Sequence, residues 1–213
     1  MIDEYLKYIQ EGYLLSDKNV SVNLKDFESG EKNKLLIIGV MGSGKTTWAE
    51  FLSKNKSKMV GGRYPARLPR VKWRSGDNIW YEISQKYFKH IKDNHEVKDE
   101  ITKLVRIELI KMLKDNRRMI IESVDFIDIY KDQPQYRKLI VNQPMIILGM
   151  SALRAGIRAG IRNMRREGGE GWRELYWMSL MNIRDLEATL KQIRKDVKKM
   201  PGAKIENYKI PRL

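Results

Sequence analysis

With 213 residues, 42% hydrophobic content and no cysteine, the chain is long enough for one well-buried α/β core and short for two; disulfides, thiolate metal sites and thiol nucleophiles are excluded. No apolar run approaches the roughly 18 residues of a membrane span, and Met1-Ile2-Asp3-Glu4 lacks the layout of a secretory signal, so a cytoplasmic protein with no membrane partner is expected. The formal net charge of +15 is regional: residues 1–33 hold seven acids against four lysines, residues 51–76 eight basic side chains and no acid, and residues 151–213 fifteen basic against seven acidic.

In chain order, Tyr5, Leu6, Ile9, Tyr13, Leu14 and Leu15 are spaced as one apolar helical stripe, followed by a polar segment through Asn33. Residues 1–33 are therefore expected to form an accessory helical segment, with one main domain over 34–213. Lys34 to Val40 (KLLIIGV) has the continuous apolar character of a strand buried on both faces. Glycines interrupt it, and helical patterning resumes from Thr46 to Ser53. The Gly/Pro-rich, basic stretch from Gly61 to Pro69 predicts an irregular loop. Val71-Lys72-Trp73 predicts a second strand, Asn78–Ile91 and Val97–Leu113 two helices, Met119–Ile121 a third strand and Met145–Leu148 a fourth. Helical patterning over Ser151–Arg166 breaks at Gly168-Gly169-Glu170-Gly171 and continues from Trp172 to about Lys199, and Ala203–Tyr208 predicts a last strand. Alternating strands and helices imply a three-layer α/β fold with a mainly parallel five-stranded sheet and ligands beyond the strands' carboxyl ends. His90 and His95, five apart, miss the spacing of a helical metal pair and are expected to be structural or solvated.

Gly39-Val40-Met41-Gly42-Ser43-Gly44-Lys45-Thr46 fits the pattern G-x-x-x-x-G-K-S/T between a predicted strand and a predicted helix. In that context the glycines let backbone N–H groups converge on phosphate, the helix offers its positive end, Lys45 reaches the outer phosphates, and the Thr46 hydroxyl suits Mg²⁺. Gly39, Gly42, Ser43, Gly44, Lys45, Thr46 and Thr47 are the expected nucleotide-binding residues of a P-loop NTPase fold, with ATP and Mg²⁺ as cofactors. Glu122 and Asp125, at and just beyond the third strand's end, are the candidate acids for ordering the metal, with Glu122 favoured.

The run Gly42-Ser43-Gly44-Lys45-Thr46-Thr47-Trp48-Ala49 resembles the start of the first helix in polynucleotide kinases. Ser75-Gly76-Asp77-Asn78-Ile79 resembles a turn of nucleoside-monophosphate kinases. The resemblance to polynucleotide kinases implies that Asp77 takes the proton from an attacking hydroxyl; an Asp capping the following helix is the plainer alternative. Arg154, Arg158, Arg162 and Arg165 share one helical face. That helix resembles the arginine-rich lid (about 151–171) of nucleoside-monophosphate and deoxynucleoside kinases, which implies catalytic contacts from Arg158 and Arg162, although an exposed basic face would have the same spacing. The loop-to-Asp77 interval is longer than in either family. Its basic insertion suggests phosphate contacts to a polymer from Arg63, Arg67, Arg70 and Arg74, with Tyr64, Trp73 and Trp80 as stacking faces or, alternatively, core residues.

The expectation is thus an ATP-dependent kinase acting on a hydroxyl of nucleic acid, DNA favoured. The basic single-domain layout also resembles small phage-type kinases of 5-hydroxymethyluridine in DNA, so the acceptor is a hydroxymethylated base or a polynucleotide 5′-hydroxyl. A kinase of free nucleosides or nucleotides keeps the same catalytic set but leaves the basic stretch without a purpose. A nucleic-acid-stimulated P-loop ATPase is the third reading, weakened by the lack of a clear Asp-Glu pair.

Overall fold

The computed structural model describes residues 19–40, 43–53, 71–88, 94–149 and 172–207. Six strands, β1 (Val20–Val22), β2 (Lys34–Gly39), β3 (Lys72–Ser75), β4 (Met119–Glu122), β5 (Met145–Leu148) and β6 (Ile205–Asn207), form one sheet in the order β3-β4-β2-β5-β1-β6. The helices are α1 (Leu24–Ser29), α2 (Lys45–Ser53), α3 (Gly76–Tyr87), α4 (Asn94–Lys114), α5 (Asp125–Asp132), α6 (Arg137–Val141) and α7 (Trp172–Lys198), with a 3-10 turn at Pro134–Tyr136.

Every residue of β2 is buried, and alternation sorts its side chains between two layers. Leu35 and Ile37 pack with Phe27 of α1 and Trp48, Ala49 and Leu52 of α2. Leu36 and Ile38 pack on the opposite face with Val105 and Leu109 of α4, Phe126 of α5 and Ile193 of α7. Helices thus cover both faces, which is why the central strands read as unbroken apolar runs rather than as alternating ones.

The central strands β3, β4, β2 and β5 pair in parallel. The chain leaves the middle strand β2 toward one edge, builds β3 and β4 there, and then crosses to β5 on the other side. The loop after β2 therefore lies where the strand order reverses, the place at which open α/β sheets leave a crevice for ligands.

The sheet has six strands among the described residues where five were expected. The additional one is β1, from a segment expected to be polar and outside the sheet. It runs antiparallel to both β5 and β6, so it alone opposes the common direction. Side chains at its two ends supply what its three residues lack in hydrophobic pattern. Buried Asn19 accepts the Gly149 N–H through Oδ1 at 2.8 Å. Asn23, at φ 50, donates its N–H to the Lys204 carbonyl at 2.9 Å and accepts the Lys204 N–H through Oδ1 at 2.8 Å.

Lys34 opens β2 as a cation buried to 2% exposure. Its Nζ donates to Asp115 Oδ1 at 2.8 Å, to the Asp115 carbonyl at 3.0 Å and to the Arg117 carbonyl, so the ammonium sits among the oxygens that follow the C-terminus of α4. The hydrogen bond from Lys34, with further bonds from Arg117, pulls the Asp115 carboxyl down to about 2 from its ordinary 3.8. Stability from this lowered carboxyl is fully present above pH 3.8 and is lost as pH falls through about 2. Lys34→Ala should lower the unfolding free energy by about 2–4 kcal/mol, because it empties a buried position and removes the donor shared by the Asp115 carboxylate and two carbonyls. It should also flatten the acid limb of the stability curve, both effects being measurable by urea unfolding at a series of pH values.

Arg106 of α4 bridges Asp128 at 3.2 Å and Asp132 at 3.3 Å. Lys131 meets Asp185 at 2.5 Å, and the Tyr130 hydroxyl donates to Asp196. Burial and that hydrogen bond push the tyrosine up to about 12. These contacts fasten α5 between α4 and α7.

Candidate active site

The expected phosphate loop starts from β2 and ends in α2. Gly39 pairs in register with Leu148 of β5, and a Cβ on it would stand 2.5 Å from Ser43 Oγ and 3.1 Å from Leu148 Cβ, so the strand end closes only around glycine. Gly44 has φ 87, a left-handed conformation that favours glycine. The Ser43 N–H donates to the Val40 carbonyl at 3.2 Å and the Trp48 N–H to the Gly44 carbonyl at 3.1 Å, which carries the turn directly into α2. The nine-residue α2 points its N-terminus at the loop, and its buried Trp48, Ala49 and Leu52 fix it to the sheet. A helix N-terminus above such a loop is suited to an anion.

Two side chains at the start of α2 face the sheet's carboxyl edge. Lys45 Nζ donates to the Val40 carbonyl at 3.2 Å. Thr46 Oγ1 donates to Glu122 Oε1 at 3.0 Å. Glu122 is the last residue of β4, 3% exposed, and in register with Ile37 of β2 and Ser75 of β3. A hydroxyl and a carboxylate side by side are hard oxygen donors of the kind Mg²⁺ takes when phosphate and water complete its shell. Among the described residues no group of three or more His, Asp or Glu side chains is arranged to hold a metal, so the fit rests on this pair.

Asp77 lies in the first turn of α3, exposed, immediately beyond β3. The helix is capped by Ser75, whose Oγ accepts the Asp77 N–H at 3.2 Å. The plainer reading of Asp77 as the cap is therefore replaced: Ser75 performs that role and the Asp77 carboxylate projects from the helix start. Asp125 begins α5, but its Oδ2 accepts from Ser123 Oγ at 2.6 Å while its N–H donates back to the same oxygen at 3.0 Å. Of the two candidate acids, Glu122 is the one joined to the phosphate loop.

The expected polymer-binding residues divide. Arg74 is held by both oxygens of Glu82, at 2.8 and 2.5 Å, and Trp73 packs half-buried against the layer that holds Trp48 and Phe27. Trp80 packs half-buried on the opposite layer. Gly42, Arg63, Tyr64, Arg67 and Arg70, and the expected lid with Arg158 and Arg162, lie outside the described residues, as does the side chain of Thr47. Ser75, Gly76 and Ser123 were missed as site residues. Their signal was a repeated Ser-x-Asp, at Ser75-Gly76-Asp77 and Ser123-Val124-Asp125, following two neighbouring parallel strands.

The chain forms an α/β fold whose mostly parallel sheet places a strand–loop–helix unit at its switch point. No family model matches the chain, and no curated protein does. Among solved structures, the chain is similar to deoxyadenosine kinase from M.mycoides with bound dATP, at 17% identity and a TM-score of 0.34, over 76% of this chain and 84% of that one. No helix of the described residues is long and apolar enough to cross a membrane.

Proposed function

We propose that this protein is an ATP-dependent kinase that transfers a γ-phosphoryl group to a hydroxyl carried by nucleic acid, with a hydroxymethylated base in DNA, such as 5-hydroxymethyluridine, or a polynucleotide 5′-hydroxyl as acceptor. The observation that supports it is the convergence, on the carboxyl edge of three adjacent parallel strands, of the phosphate loop after β2, Glu122 at the end of β4 and bonded to Thr46, and the exposed Asp77 just past β3. A loop that grips phosphate and a neighbouring carboxylate open to an incoming alcohol are the two halves of a phosphoryl transfer.

In this reading the backbone of Gly39–Thr46 and the N-terminus of α2 cradle the β- and γ-phosphates, and Lys45 moves from the Val40 carbonyl to the transferring group. Thr46 and Glu122 would hold Mg²⁺, which when bound supplies charge neutralisation on the phosphate oxygens. Asp77 accepts the proton of the acceptor hydroxyl. As that oxygen forms its bond to the γ-phosphorus, the bond from the γ-phosphorus to the bridging oxygen breaks and ADP leaves. The charge pattern supports a polymeric acceptor, since residues 51–76 are uniformly basic and residues 151–213 carry a net excess of eight positive charges.

Incubation with γ-labelled ATP, Mg²⁺ and single- or double-stranded oligonucleotides, with and without hydroxymethylated bases and with free nucleosides alongside, tests this. Label is expected in an oligonucleotide, and affinity for it should fall steeply with salt. Label confined to free nucleosides would replace the polymer acceptor. ATP hydrolysis with no labelled acceptor would exclude the kinase reading.

A further inference from the structure

Two Ser-x-Asp turns follow adjacent parallel strands, and they interlock through a glycine. A Cβ built on Gly76 would stand 2.2 Å from Ser123 Oγ, 2.8 Å from Ser123 Cβ and 3.2 Å from Asp125 Oδ2. The first two distances lie inside any real carbon contact, and the atoms met are not the loose end of a long side chain. Ser123 is 3% exposed, and its Oγ is held from two sides by Asp125, as donor to Oδ2 at 2.6 Å and as acceptor from the N–H at 3.0 Å. Gly76 itself is buried and is not among the residues with positive φ. Its backbone therefore suits any L-residue, and glycine is needed there for space alone.

We infer that Gly76, Ser123 and Asp125 are positioning residues that set the Asp77 carboxylate against the phosphate loop, by letting the start of α3 seat directly on the β4–α5 turn. Asp77 is covalently next to Gly76, and the turn on which Gly76 rests begins one residue after Glu122, which is bonded to Thr46 of the phosphate loop. The chain of contact from the loop to Asp77 is thus short and runs through the buried Glu122, Ser123 and Gly76. Ser75, in register with Glu122 and capping α3, fixes the same helix start from the strand side. Asp125 acts in this arrangement as the anchor for the Ser123 hydroxyl. A methyl group on Gly76 has to displace the start of α3 by about 1 Å, a misplacement of the size that costs on the order of 10²-fold in a reaction requiring aligned groups.

This inference rests on the proposed transfer reaction, and the experiment separates the two. Wild type, Gly76→Ala, Ser123→Gly and the double variant Gly76→Ala/Ser123→Gly are compared for kcat of transfer, for Kd of a fluorescent ATP analogue and for Tm. Gly76→Ala is expected to lower kcat by about 10²-fold with the analogue's Kd changed by less than about threefold, because the atoms nearest the added methyl belong to Ser123 and Asp125. In the double variant the methyl enters the space left by the serine side chain, so kcat should recover at least about tenfold over Gly76→Ala. Unchanged kcat in Gly76→Ala, or equal losses of kcat and analogue affinity, would overturn the inference while leaving the kinase reading intact. A wild type that transfers phosphate to no acceptor would sink the kinase reading and the inference with it. Should Gly76→Ala fail to fold, Ser123→Ala adds no atoms and releases Asp125; a kcat loss of about tenfold with unchanged analogue Kd is then expected, and full activity would refute the role.

Discussion

Asp77→Asn should reduce phosphoryl transfer by about 10²- to 10⁴-fold while nucleotide affinity and thermal stability stay near wild type. The amide has the carboxylate's shape but takes no proton near neutral pH, so the change removes the proton acceptor without altering the volume beside the helix. Stability is spared because α3 is capped by Ser75 Oγ acting on the backbone N–H of residue 77, a bond the substitution leaves in place. Single-turnover transfer measured with saturating ATP, together with Kd for ATP, separates the two terms. Full transfer in Asp77→Asn would remove Asp77 as the base and direct attention to another acid on the same edge of the sheet.

Lys45→Ala should act on both terms, with kcat lowered by about 10²- to 10³-fold and nucleotide binding weakened as well. An ammonium placed where charge accumulates on the transferring group is worth more in the transition state than in the ground state, so the kinetic loss should exceed the binding loss. The fold should tolerate the change: Lys45 is half-exposed and its Nζ rests on the Val40 carbonyl at 3.2 Å, at the first position of a helix held by Trp48, Ala49 and Leu52. Equilibrium binding and transfer assays on a variant with unchanged Tm would check this contrast with Asp77→Asn, whose effect is confined to the chemical step.

The central strands were legible because burial on both faces leaves an uninterrupted apolar run, as in Leu35–Ile38 and Met145–Leu148. Helix α7 and the segment from Lys45 were legible through helical spacing of apolar residues. β1 was not, because Val20-Ser21-Val22 is too short to display a period and is held by the amides of Asn19 and Asn23, whose partners lie far along the chain. Helices α5 and α6 were hidden for a related reason: Asp125–Asp132 follows a strand so closely that its apolar Phe126, Ile127 and Ile129 could be assigned to either period. In the site, the turn between β2 and α2 was written in its glycines, and the acid that bonds Thr46 was legible as one at a strand's end. The Gly76–Ser123 contact was not readable, since a shared volume between two turns leaves no mark in either stretch taken alone. The engagement of Arg74 by Glu82 was equally invisible, because a guanidinium's partner is decided by which helix face turns back toward the strand.

The antiparallel β1 has a consequence for how the molecule assembles. Among the described strands β6 is bonded to β1 and β1 to β5, so this edge pairs an early segment with two late ones. Pairings between residues as distant as Val22 and Ile205 raise contact order and slow folding. A ribosome-bound chain that has not yet released β5 therefore carries Val20–Val22 without the strands that flank it in the sheet.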